Sequence, residues 1–183
     1  MKTRHRNVIW AAACGAALLG VCVATTTASA ARGRAAATSR PCSAASTQIW
    51  LGNGEGGGFA GGYVLPLEFS NVGRRACTLY GYPGVSAYRG ALRQVGPAAS
   101  RITERRAVVT LAPGATAHAA LRITDTGAVC GRSGVSADGL RVYAPGQRTA
   151  RTISAPLMVC AQQRILAVGV VRAGVGIPGY ITQ

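Results

Sequence analysis

Acidic residues are scarce in this chain: five Asp and Glu stand against twenty Lys and Arg among 183 residues, for a formal net charge of +15. The five (Glu55, Glu68, Glu104, Asp125 and Asp138) are scattered along the sequence. Nothing in their spacing signals the two converging carboxylates that glycoside hydrolysis requires. Metal-ligand patterns are missing as well. No C-x-x-C occurs and His5 and His118 are the only histidines, so the usual zinc frameworks are excluded and no metal or cofactor is expected. A nucleophile elbow, G-x-S-x-G, is also absent: "GVSAY" around Ser86 and "GVSAD" around Ser136 lack the second glycine. A serine triad would have to draw on His118 with Asp125 or Asp138. His118 stands on the polar side of an alternating segment, where an exposed histidine is ordinary. No catalytic residue is assigned, and a secreted hydrolase around His118 is kept as the alternative reading. Aromatics are few and no amphipathic helix of useful length follows residue 30.

What is present begins with an export signal. Lys2, Arg4 and Arg6 form a positive start, residues 8–23 are uncharged throughout, and Ala28-Ser29-Ala30 is an A-x-A cleavage site. Residues 1–30 are therefore expected to be removed, giving a secreted protein, extracellular or loosely held on the cell wall. Two rivals place it at the membrane: an uncleaved anchor, or lipidation of Cys22, although Leu19-Gly20-Val21 puts a bulky Val where a lipobox takes a small residue. After cleavage four cysteines remain, Cys42, Cys77, Cys130 and Cys160. An even number in an exported chain reads as two disulfides with three possible connectivities. Neighbour pairing, Cys42–Cys77 and Cys130–Cys160, is favoured because each loop then spans a few strands. Oxidised cysteines leave little room for thiol chemistry.

The charge after cleavage is +12, carried by seventeen arginines and no lysine against the same five acids. Codon bias explains arginine in place of lysine but not the shortage of acids. A field of this sign attracts polyanions; solubility is the competing explanation.

Residues 31–41 hold no large apolar side chain and read as a disordered leader. Residues 42–183 read as one β-sandwich domain. Within it, "GNGEGGGFAGG" (52–62) has seven glycines in eleven positions and reads as a flexible loop. Its G-x-G-x-x-G at Gly52, Gly54 and Gly57, repeated at Gly174, Gly176 and Gly179, lacks the strand–helix context of a nucleotide fingerprint. From Tyr63 the pattern has period two. Tyr63, Leu65, Leu67 and Phe69 share one face, and Val64, Pro66 and Glu68 share the other. Pro66 predicts an edge strand or a bulge. Asn71-Val72-Gly73 closes that strand, Cys77 to Tyr80 begins the next, and Pro83-Gly84 suits a type II turn before a strand from Val85 to Tyr88. Further strands are expected at 47–51, 108–111, 115–124, 140–143, 157–160 and 165–171, with Ala117, Ala119, Leu121 and Ile123 inward and Thr116, His118, Arg122 and Thr124 outward. Seven to nine short strands with frequent Gly and Pro predict an all-β, immunoglobulin-like sandwich, in architecture only. Its alanine-rich core is thin, which raises the importance of the disulfides.

"YVLPLEFSNVGRRACTLYGYPGV", followed by "VTLAPGATAHAAL", resembles domain-of-unknown-function family 4232, found in exported proteins of high-GC Gram-positive bacteria. The resemblance rests on Tyr63, Asn71, Gly73, Cys77, Thr78 and Leu79, on Gly-Tyr-Pro-Gly-Val at 81–85, and on Leu111, Pro113, Gly114 and Ala117. Cys130 and Cys160 match the family's later cysteine pair. It covers roughly residues 42–171 and implies no established activity. Family members are often lipoproteins or membrane-anchored, from which the poor lipobox and plain cleavage site here depart.

Two groups of residues suggest binding. Tyr80, Tyr82 and Tyr88 with Trp50 form a candidate platform for carbohydrate or peptide, although half-buried strand tyrosines are the commoner fate. Arg89, Arg93, Arg101, Arg105 and Arg106 bracket an expected loop and form a candidate anion-binding rim. A non-enzymatic module of the cell envelope that binds an anionic cell-wall polymer or an envelope protein is the main reading. Nucleic acid is not expected as a physiological partner outside the cell.

Overall fold

A computed structural model describes residues 40–52 and 57–178 of the chain. The expected signal with its Ala30 cleavage site and Cys22, most of the leader, residues 53–56 with Glu55, and residues 179–183 lie outside the described residues. In chain order the strands are Thr47–Leu51 (β1), Gly58–Phe59 (β2), Gly62–Asn71 (β3), Cys77–Tyr80 (β4), Gly84–Arg89 (β5), Arg93–Val95 (β6), Ser100–Arg101 (β7), Val108–Leu111 (β8) and Thr116–Thr124 (β9). A single helical turn at Thr126–Val129 (α1) precedes Gly134–Tyr143 (β10), Ala150–Cys160 (β11), Leu166–Val168 (β12) and Arg172–Ala173 (β13). The count exceeds the expected seven to nine because β2, β6, β7 and β13 are pieces of two or three residues, too short to show a period.

The larger sheet runs β1-β3-β9-β12-β7, with β2 added to β3 and β13 to β9. The smaller runs β11-β10-β5-β6, and β4-β8 forms a separate ribbon. Leu67, Phe69 and Leu121 from the larger sheet meet Ala87, Leu140 and Val142 from the smaller, and Leu79 and Leu111 from the ribbon, in one buried cluster. This is an all-β, immunoglobulin-like sandwich. Each fully buried Leu or Phe contributes about 1.5–3 kcal/mol of transfer free energy. Two disulfides staple it, Cys42–Cys77 and Cys130–Cys160, the pairing favoured from the sequence.

The first bridge also moves the domain boundary. Arg40 and Pro41 are not leader. The Thr78 N–H donates to the Arg40 carbonyl at 2.9 Å, and the Cys42 N–H donates to the Thr78 carbonyl at 2.9 Å. Pro41 thus runs parallel to β4, held there by the crosslink. The glycine-rich stretch is likewise more than a flexible loop. Gly58 and Phe59 pair with Tyr63 and Gly62, and Gly61, at φ +84°, makes the turn between them. A Cβ on Gly62 would collide with the Ile123 carbonyl oxygen, so that position demands glycine.

Two proline expectations are corrected. β3 is an internal strand, paired with β9 along Gly62 to Ser70. It tolerates Pro66 because the missing N–H falls on the other side, toward Gly52, where β1 has just ended and the Gly52 N–H donates to the Pro66 carbonyl. Pro83-Gly84 is not a type II turn. The positive φ belongs to Gly81, at +93°, and Gly84 already pairs in β5 with Tyr143. β4 and β5 lie in different sheets, so Gly81-Tyr82-Pro83 carries the chain across the sandwich instead of reversing it.

Tyr63, at the start of β3, has its phenol pKa raised above 10.0, first by burial and second by the negative charge of Asp125. The raised pKa favours the neutral phenol in the folded state. The stability it contributes is therefore complete below pH ~10, the unfolded value, and is lost as pH rises through the folded value. In an absorbance titration, Tyr63→Phe should remove one phenol ionising above pH ~10. Asp125→Asn should lower that midpoint only in part, because burial is the larger cause.

Candidate functional site

Strand register builds the site. On the face of the larger sheet away from the core, Trp50 lies opposite Glu68, Glu68 opposite His118, and His118 opposite Arg172. Four strands thus place an indole, a carboxylate, an imidazole and a guanidinium in one transverse row. Cross-strand neighbours on one face stand about 4.5–5.5 Å apart at Cβ, close enough for such groups to interact.

A solvated outer face would leave this row wet. Instead Glu68 is fully buried and His118 is 3% exposed, because the segment after β13 folds over them. The His118 Nδ1 lies 3.0 Å from the Gly174 carbonyl oxygen, and the Gly176 N–H donates to Glu68 Oε1 at 2.7 Å. A carbonyl can only accept, so Nδ1 carries the proton and the imidazole is fixed in that tautomer or fully protonated. The expectation that His118 is exposed is therefore corrected: its face was read properly, its cover was not. Beside it, the Trp50 Nε1 donates to the Ser70 hydroxyl at 3.1 Å, which bonds the Thr116 hydroxyl at 2.8 Å.

Next to His118 the outer face opens into a cavity of about 380 Å³. Its apolar wall is Val64, Ile102, Ala120, Val170, Ile177 and Pro178, and Glu104, Arg122 and Arg172 bring charge to it. Glu104 Oε2 accepts from the Arg172 guanidinium at 2.8 Å. A Cβ at Gly169 would stand 3.1 Å from Glu104 Oε1, so a side chain there would have to push the Glu104 carboxylate aside. Arg122 stacks on the Phe59 ring, its Cζ 4.4 Å from the centroid. Ile102 and Glu104 are positioned by Tyr82, whose hydroxyl donates to the Ile102 carbonyl at 2.6 Å and accepts the Glu104 N–H at 3.2 Å.

The carboxylates are thus less scattered than their spacing implies. Glu68 and Glu104, 36 positions apart in the sequence, both approach the His118–Arg172 pair. Asp125 and Asp138, the candidate triad partners, do not line this cavity with His118. Asp125 lies just past the end of β9, and Asp138 accepts the Gly90 N–H at 2.7 Å on the other sheet. Among the described residues lining the cavity there is no Ser, Thr, Cys or Tyr.

The five candidate arginines fall into two groups. Arg89 and Arg93 pair across the β5–β6 hairpin of the smaller sheet, where they line a groove with Val135 and Ala161. Arg101, Arg105 and Arg106 lie on the segment that begins at β7 of the larger sheet. Arg101 and Arg106 both sit over the Tyr82 ring, at 5.4 and 5.2 Å from its centroid. The tyrosines do not form one platform with Trp50. Tyr80 is 56% exposed on the β4–β8 ribbon, Tyr82 clamps the 102–104 segment, Tyr88 lies in β5 of the smaller sheet, and Trp50 is in β1. Sequence reasoning missed Glu68, Glu104, Arg122 and Arg172 as one site. The outward positions of Glu68, His118 and Arg122 were the available signal, but nothing in the sequence tells that β3 and β9 pair in this register.

No curated protein matches the chain. Residues 42–176, from the first bridge through the strap over His118, match the family model described as Domain of unknown function (DUF4232), and the chain belongs to that family.

Proposed function

We propose that this chain is an exported, non-enzymatic binding module that holds an anionic polymer of the cell envelope through Arg101, Arg105 and Arg106. The observation that carries the reading is the pair of guanidiniums over Tyr82, whose hydroxyl also fixes the backbone between them. Cation–π contact and the tethered backbone pre-position the two charges, which lowers the ordering cost of binding. Export is supported by the two disulfides, which persist in oxidising compartments. Among the described residues, no helix is long and apolar enough to cross a membrane.

The hydrolase alternative has an imidazole and a carboxylate in one cavity in its favour. Against it, no hydroxyl or thiol nucleophile lines that cavity among the described residues, and Glu104 is engaged by Arg172. An acidic envelope protein is the other partner that this charge would attract.

Retention on purified cell walls separates these readings. The chain is expected to bind at low ionic strength and to elute with moderate salt, because each arginine–phosphate contact releases counterions. Reversing Arg101, Arg105 and Arg106 together to Glu should flatten the slope of log K against log salt by roughly 2–3. Reversing Arg132, Arg148 and Arg164 should have a smaller effect. Equal losses from the two triple variants would mean that net charge alone acts, and no retention at low salt would remove the polymer.

A further inference from the structure

We propose that the cavity beside His118 is a binding site for a small monocarboxylate with a compact apolar body, of the size of a medium-chain acyl group. This inference goes beyond the polymer reading and does not rest on it, since the two use different arginines.

Three features of the cavity point to that class. The first is size: about 380 Å³ lies at the lower end of the ~300–1,000 Å³ range of small-molecule sites. The second is its wall. Val64, Ala120, Ile102 and Ile177 converge on the cavity, so an apolar body would meet apolar side chains there instead of water. The third is charge. Arg122 and Arg172 both line the cavity, where Glu104 is the one lining carboxylate; the buried Glu68 stands behind them in the same row, its Oε1 held by the Gly176 N–H. Glu104 is already taken by Arg172, and Arg122 is the cation left to receive a ligand. The Phe59 ring holds the Arg122 guanidinium from one face, leaving the in-plane N–H fork that suits bidentate contact with a carboxylate. One available guanidinium favours a monoanion, because the neighbouring carboxylates Glu104 and Glu68 would repel the second charge of a phosphate monoester.

The floor is built to keep the space open. Glycine at 169 and alanine at 120 are the small residues beneath it, and a Cβ at 169 would stand 3.6 Å from the Ala120 Cβ. Ala120 belongs to the outer face of β9, opposite Pro66, so a larger side chain there would fill the cavity without entering the core.

The test is calorimetric titration of the full exported chain with sodium octanoate, and with octanamide as its neutral counterpart. Octanoate is expected to saturate one site and to bind at least ten times more tightly than octanamide. Arg122→Gln should bring octanoate down to the octanamide level, Ala120→Leu should abolish binding of both, and Arg89→Gln on the other sheet should change neither. Wild-type protein gives a readout that needs no variant: octanoate should shift the His118 ring protons and the Ile102 and Ile177 methyl resonances. Equal binding of octanoate and octanamide, undiminished binding by a folded Ala120→Leu variant, or resonance shifts confined to other regions would each overturn the proposal. Loss of cell-wall retention by the Arg101/Arg105/Arg106 variant with octanoate binding intact would leave it standing.

Discussion

Replacing Cys42 and Cys77 together by alanine is expected to lower the unfolding free energy by about 4 kcal/mol in urea titration. The two residues are 35 positions apart, and closing a loop of that length removes roughly 3.8 kcal/mol of denatured-state entropy on the chain-entropy model. The Cys130–Cys160 bridge, with a separation of 30, removes about 3.6 kcal/mol on the same model. The two differ in what else they hold. Cys42–Cys77 pins Arg40 to Cys42 along β4 through the two Thr78 backbone bonds. Its loss should also expose the Thr78 amide to rapid hydrogen exchange, while amides of β10 keep their protection relative to global stability. Set against the 5–15 kcal/mol typical of native domains, the change is large. A loss below about 1 kcal/mol would show that the denatured chain is already constrained without the bridge.

The value of those bridges was readable because the four cysteines after residue 30 have only three ways to pair, and because strands announce themselves. β1, β4 and β8 end where the sequence places them, since each is a short apolar or β-branched run with Gly, Pro or Asn at its limits. The inward face of β9 was equally legible: Ala117, Ala119, Leu121 and Ile123 are all buried. β10 and β11 run well beyond their expected apolar cores. Their extra pairs form a surface ladder around a bulge between Ala137 and Gly139, where backbone pairing alone decides the length. Pro156 is accommodated because β11 is an edge strand.

The site was less legible for a different reason. Period two says which residues share a face, not what lies over that face. The cover on Glu68 and His118 comes from Gly174 and Gly176, in a tail with no apolar period, through backbone carbonyl and amide groups that any sequence supplies. Register compounds the difficulty. A shift of β13 by one residue would turn Arg172 away from His118, and a two-residue strand carries no pattern from which to fix it. The Tyr82 clamp was hidden similarly, because its partners are the backbone atoms of Ile102 and Glu104.

Asn71→Ala is expected to cost about 3 kcal/mol, although the sequence presents Asn71 only as the residue that closes a strand. Its side chain is fully buried and joins two turns distant in sequence. Oδ1 accepts the Gly73 N–H at 3.0 Å, forming the Asx turn after β3. Nδ2 donates to the carbonyls of Arg75, Leu111 and Ala112 at 2.9, 3.0 and 3.2 Å. The main chain completes the junction: the Asn71 N–H donates to the Ala115 carbonyl and the Gly114 N–H donates to the Asn71 carbonyl. Around it, Pro113-Gly114 makes the type II turn, with Gly114 at φ +80° and the Ala115 N–H closing on the Ala112 carbonyl. Alanine removes all of these side-chain bonds; the Ala112 carbonyl keeps the Ala115 N–H, and each buried group that loses its partner costs about 1–3 kcal/mol, with water recovering part of the loss. Asn71→Asp should be worse at neutral pH, since a carboxylate keeps the Gly73 contact but faces three carbonyl oxygens with no donor. Protonation restores one donor, so the carboxyl of that variant should be held above its unfolded value of ~3.9. Its deficit relative to wild type should therefore shrink as pH falls through the raised pKa and grow as pH rises. Parallel urea titrations of both variants from neutral pH down to pH ~4 would check this. An alanine variant within 1 kcal/mol of wild type, or an aspartate variant with a pH-independent deficit, would mean that the backbone bonds alone hold the junction.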